Sequence, residues 1–210
     1  MERVASQLEA RRIYGENFIG VEELFQLNPC LPLRVPKIIP EISIPIDVLI
    51  ENRDTHILIL AVNKFTNNMD VNILNLRDYF STYNFDGANP KFYNQDWYLR
   101  EEFVKIPLTL GWHLLRIDVI DNSRGCEPAF LKSPYELPSA ILSTYSFFVY
   151  FLIRKKILWE HDYIWCDDLD HNGDRVYVGK YTDSSGVNSS GFSIHRHLKL
   201  RNYFGTISSL

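Results

Sequence analysis

The spacing of apolar residues changes character several times along the chain, and each change predicts an element. Residues 2–14 have helical composition with charge on most faces, and Ile19 to Leu27 reads as a second short amphipathic helix. Gly15, Asn17 and Gly20 break the chain between them. Pro29, Pro32, Pro36, Pro40 and Pro45 interrupt any regular period over 28–45, which predicts an extended arm. An interdomain linker is the competing reading, but the residues before it are too few to make a domain.

His56 to Val62 (HILILAV) is an apolar run of buried-strand type, preceded by the turn-forming Asn52-Arg53-Asp54. Asp70 to Phe80 places Val71, Leu74, Leu76 and Tyr79–Phe80 at helical spacing, with Thr66, Asn67 or Asn68 as its cap. Residues 81–95 predict a loop, and Asp96 to Lys105 a further helix with Trp97, Arg100, Glu101 and Val104 three or four apart. Trp112 to Ile120 is β-rich and closes in the turn Asn122-Ser123-Arg124-Gly125. From about Ser139 to Leu158 the apolar stripe is wide enough for burial nearly all round, with Pro138 suited to its first turn.

The C-terminal quarter reads as strands. Tyr163 to Asp170 and Arg175 to Tyr181 flank His171-Asn172-Gly173-Asp174, and Asn-Gly between β-rich runs predicts a hairpin with a type I′ turn. Gly191 to Leu200 (GFSIHRHLKL) supplies one more strand. The sum is an α+β fold in a single domain over 1–210: N-terminal helices to 27, the arm 28–45, a body 46–158 and a β-rich subdomain 159–210. It predicts one mixed or antiparallel sheet of about five strands, packed by four or five helices, one of them long and buried.

Composition narrows the class. Of 210 residues 46% are apolar and 14% aromatic, enough bulk for a sizeable core. Lys and Arg number 22 against 26 Asp and Glu, a net charge of −4, which excludes a polybasic nucleic-acid wrapper and an acidic disordered tail. The only membrane candidate, Ala140 to Ile153, falls short of the ~20 residues a span needs. Arg154, Lys155 and Lys156 instead complement the C-terminal dipole of a core helix. The charged opening residues form no leader, and Cys30, Cys126 and Cys166 fit neither a disulfide framework nor a zinc pattern, which points to a reducing, cytoplasmic compartment.

Familiar catalytic signatures are missing: no GxxxxGK[ST], GxGxxG, GxSxG or HExxH occurs. Cys166 could serve as a nucleophile with His161 or His195 as its base, but a strand position between Trp165 and Asp167 favours an inert, semi-buried thiol.

Two stretches of opposite charge carry the remaining chemistry. Glu160 to Asp174 holds six acids and no Lys or Arg, whereas Ile194 to Arg201 holds His195, Arg196, His197, Lys199 and Arg201 and no acid. Asp168-x-Asp170-x-Asn172-Gly173-Asp174 matches the first half of an EF-hand loop, whose alternate oxygens suit a divalent cation. The second half fails, because Gly179 stands where a bidentate Glu is required. The plainer reading is a hairpin turn whose aspartates pair with Arg196, Lys199 or Arg201. His195 and His197 share one strand face and, with Asp168 or Asp170, could hold a transition metal; the plainer reading is the exposed polar face of an edge strand, because His-x-His alone lacks the third ligand that defines a site.

Three functions follow as expectations. The first is a non-catalytic binding or accessory protein that presents its charged C-terminal sheet, Arg196 and Lys199 included, to a protein or small ligand. The second is a divalent-metal hydrolase, a nuclease or phosphodiesterase, using Asp168, Asp170, Asn172, Asp174, His195 and His197. The third is a small-molecule pocket lined by Trp97, Tyr98 and Trp112.

Overall fold

The computed structural model describes residues 3–82, 91–93, 95–127, 129, 136–180, 191–196 and 199–210. Among these, five α-helices and seven strands form two mixed sheets rather than the single sheet expected. The α+β class holds.

The first sheet has the order β1 (Phe18–Ile19), β2 (His56–Ala61), β3 (Gly111–Arg116), with β1 parallel and β3 antiparallel to the central strand. The second has the order β6 (Ser193–His195), β5 (Arg175–Gly179), β4 (Tyr163–Leu169), β7 (Phe204–Gly205). Only β7 in this sheet pairs parallel, and it does so with β4. Helix α5 (Ala140–Arg154) packs against β2 of one sheet and β4 and β5 of the other. Every residue from 140 to 152 is buried, as its unbroken apolarity requires. Tyr145 fastens it to the first sheet by donating its hydroxyl to the Leu60 carbonyl at 3.0 Å. No helix among the described residues is long and apolar enough to cross a membrane.

The N-terminal helices follow local rules. Helix α1 (Gln7–Tyr14) opens with a capping box in which Ser6 and Glu9 exchange hydrogen bonds, and α2 covers Val21–Gln26. The proline arm lies on the body: Leu31, Leu33, Ile42 and Ile44 are buried, and Trp112 donates its indole N–H to the Pro40 carbonyl. Helix α3 (Ile46–Asn52), not anticipated from the sequence, starts directly after Pro45.

Three predicted elements are shorter or different. Helix α4 (Ile73–Thr82) begins later than expected, because Asn72, not the residues at 66–68, caps it by accepting from the Asn75 amide. Thr66 to Met69 is spent on a turn closed by the Lys64↔Asp70 bridge. Residues 96–105 form tight turns and one 3-10 turn instead of an α-helix. Tertiary ties override propensity there: Tyr93 bonds Phe192, and Trp97 bonds Ile194. Helix α5 stops at Lys155, which turns left-handed (φ 56°). The third C-terminal strand spans only Ser193–His195 rather than 191–200.

The second sheet is buried on both faces. Ile164, Cys166, Val176, Val178 and Ile194 join the main core, while Tyr163, Trp165, Tyr177 and Phe204 form a separate aromatic cluster on the opposite side. The last residues then connect the sheets. Thr206 accepts from the Ile120 amide, and Leu210 exchanges two backbone hydrogen bonds with Leu114 at 2.8 and 3.0 Å, extending β3 at its free edge.

Candidate functional site

The β4–β5 turn is built differently from the type I′ expectation. His171 and Asn172 keep negative φ and Gly173 alone is left-handed (φ 84°). The Asp170 carbonyl accepts from the Gly173 amide, and the Asp170 amide donates to the Asp174 carbonyl. This is a three-residue type I loop with a glycine bulge. The physical reason is the Asp170 carboxylate, whose Oδ1 accepts from the amides of Asn172 (2.8 Å) and Asp174 (2.9 Å) and stabilises the type I geometry.

The other oxygen of Asp170, fully buried at its side chain, accepts from Arg196 Nη1. Burial works to raise this carboxyl, but the Arg196 guanidinium and the two turn amides outweigh it and hold the pKa below the usual range. Arg196 also lies 3.6 Å from Glu101 Oε1 and stacks over the Trp97 ring, 4.5 Å from its centroid. Trp97 is fixed in turn by its indole N–H, which donates to the Ile194 carbonyl. One arginine is thereby held flat between two carboxylates and an indole.

Glu101, 6% exposed at its side chain, grips the turn from beneath. Its Oε2 accepts from the His171 amide at 2.9 Å and its Oε1 from His171 Nδ1 at 2.6 Å. An ionised carboxylate only accepts, so Nδ1 carries a hydrogen and Nε2 is the remaining ring nitrogen of an imidazole that is 62% exposed.

Other candidates go elsewhere. Asp168 Oδ2 accepts from the Ala140 amide at 2.5 Å, serving the start of α5, and burial raises its pKa. Asp174 contributes its backbone to the turn, and Asn172 is exposed there. His195 points away from Arg196 into the aromatic side of the sheet, against Tyr163 and Tyr177. The Gln95 carboxamide oxygen accepts from the Ile194 amide, so its nitrogen is the donor lying 2.8 Å from His195 Nε2. That lone pair is already used. Burial, then Lys180, lowers the His195 pKa to about 4. His197 lies outside the described residues, and Lys199 is exposed and outside any strand. The Asn-Gly bend thus delivers its buried carboxylate to a guanidinium rather than to an imidazole. Among the described residues no three His, Cys, Asp or Glu side chains are grouped to hold a metal.

The three aromatic candidates have different ring neighbours. Trp97 and Tyr98 meet edge to face at 5.7 Å, but Trp112 packs on Phe18 beside the first sheet. Tyr98 is fully buried with the Arg77 guanidinium 5.3 Å over its ring, and burial raises its pKa to about 12. Cys166 is buried on the α5 side, its thiol pKa pushed up by burial, while His195 occupies the opposite face and His161 is exposed, so neither imidazole stands beside the thiol.

Sequence reasoning missed Glu101 and the role of His171. Glu101 sat in a segment read as a helix with Trp97, Arg100 and Val104 three or four residues apart, and no local pattern distinguishes a buried acid there. No protein-family model, curated protein or solved structure matches the chain.

Proposed function

We propose that the chain is a non-catalytic binding protein, and that it meets a partner protein with the turn end of the second sheet. The observation that supports this reading is the fixation of Arg196, stacked on Trp97 and anchored by Asp170 and Glu101. Arg and Trp are the side chains that dominate interface energetics, and a side chain already held in one geometry loses less entropy on binding. His171 and Asn172 stand beside them in solvent.

The test spares Arg196 and its two carboxylates. Asn172→Arg changes an exposed turn group and should melt within a few degrees of wild type, whereas His171→Ala also removes the Nδ1 bond to Glu101 and should melt lower but still cooperatively. Tagged wild-type protein, expressed in its own source cells, should retain a defined partner that both variants lose, without turnover of phosphodiester or amide substrates by the purified chain. Retention of every partner by both variants would sink the surface. A melting temperature that climbs with added Mn²⁺ or Mg²⁺ would turn the argument back to a metal-dependent hydrolase.

A further inference from the structure

Far along the chain from that turn, the proline arm and the turn after β2 build a second recognition surface. The arm pairs with the turn through one isolated bridge, Leu33↔Phe65, flanked by the bonds Arg34 N–H to the Lys64 carbonyl (2.9 Å) and Thr66 N–H to the Pro32 carbonyl (2.8 Å). A concavity opens at each end of this short ladder. At the Arg34–Lys64 end lies a groove of about 510 Å³ lined by Arg34, Lys37 and Lys64, with Ile38 at its lip. At the Pro32–Thr66 end lies a notch of about 240 Å³ walled by Phe65, Met69 and Tyr79.

The chemistry of the two ends is complementary. In the groove, Arg34 is steadied by the neutral Asn68 carboxamide at 2.8 Å, so its charge is not cancelled. Lys64 is paired with Asp70, and Lys37 is exposed. Three cations thus face one acid. Ile38 is 85% exposed and Met69 48%, apolar surface that a folded chain would otherwise withdraw from water. Residues 35–39 make no backbone–backbone hydrogen bond to any other described residue, so their carbonyls and the amides other than that of Pro36 are open to a bound peptide.

We propose that this face binds an extended acidic peptide, with a large apolar side chain in the notch and carboxylates in the groove. The two ends of the ladder are two residues apart, about 7 Å at the strand rise, so the acids should follow or precede the apolar residue by two or three positions. A peptide fits better than a nucleic acid, because no aromatic side chain lines the groove for a base to stack on.

The experiment pans the immobilised full chain against a displayed library of random peptides about twelve residues long, long enough to cross both concavities. Enriched sequences should carry at least two acids near a Phe, Leu, Ile, Met or Trp. Their synthetic versions, followed by fluorescence anisotropy, should bind Arg34→Glu/Lys37→Glu and Met69→Asp at least roughly tenfold more weakly than wild type, with both variants retaining wild-type melting. Raising salt from about 0.05 to about 0.5 M should also weaken them. Absence of enrichment over blank support overturns the proposal, as do enriched peptides that bind the variants as tightly as wild type. Tighter binding of oligo-dT or of anionic vesicles than of any acidic peptide overturns it too. His171→Ala and Asn172→Arg should leave peptide binding unchanged, which separates this surface from the one at the second sheet.

Discussion

Arg196 is the residue on which the most charge depends. Removing its guanidinium leaves the Asp170 and Glu101 carboxylates buried with their cation gone, a situation that typically costs about 3–5 kcal/mol. Arg196→Ala should lower stability by that order in urea titrations; a loss under about 1 kcal/mol would show that water takes over the role. Histidine sets the acid limit. His56 is 2% exposed, its rings bonded to Thr55 and Ser208, and burial, then the charge of Arg116, lowers its pKa to about 4. The folded base therefore stays neutral where the unfolded one, near 6.5, has begun to protonate. Its contribution is complete above about pH 6.5 and drains away as pH falls toward 4, at about 1.4 kcal/mol per pH unit for each proton. His195 adds to the same slope. Midpoints in urea measured between pH 7.5 and 4.5 should decline, and a flat profile would contradict neutral burial of both rings. At this scale the sequence was half legible. Opposite charge in 160–174 and 194–201 made an Asp170–Arg196 pair foreseeable, whereas the strand alternation that seats His195 among Tyr163 and Tyr177 depends on a register that no single strand reveals.

At the scale of elements, long periodic segments read well and short ones did not. Helix α5 and β2 were visible as long apolar runs, and the β4–β5 hairpin through Asn172-Gly173 between β-rich segments. Strands β1 and β7, two residues each, carry no period at all and exist only through their parallel partners β2 and β4. The turn between β4 and β5 was placed correctly but mistyped, since the dipeptide Asn-Gly suits both geometries and the Asp170 carboxylate, two residues before Asn172, decided between them. That geometry has a measurable consequence. A Cβ built at Gly173 would touch nothing within 4 Å, so substitution there is penalised by φ alone. Gly173→Ala should cost about 1–2 kcal/mol, and Gly173→Asn distinctly less, in thermal or urea melts. Equal losses for both would point to a steric cause instead.

At the scale of the molecule, two sheets clasp one apolar helix, and the chain visits them in an order that composition does not encode. One sheet was expected because five strand signals give no hint of how they partition. The segment from β7 onward holds the halves together: Phe204 and Thr206 bond the loop at Gly125 and Ile120, while Ser208 and Leu210 pair with Arg116 and Leu114. Deleting 208–210 should release the amides of Leu114 and Arg116 to fast hydrogen exchange, while Leu115, facing β2 by strand alternation, remains protected. Protection retained at all three would mean that another part of the chain covers the edge. The same stitching bears on birth at the ribosome. Strand β3 is synthesised long before residues 208–210, so a nascent chain carries an open β-edge through the translation of everything between them. Slow decoding over that interval should expose the edge to self-association, and a holding chaperone would be most useful in the seconds before residues 208–210 leave the exit tunnel.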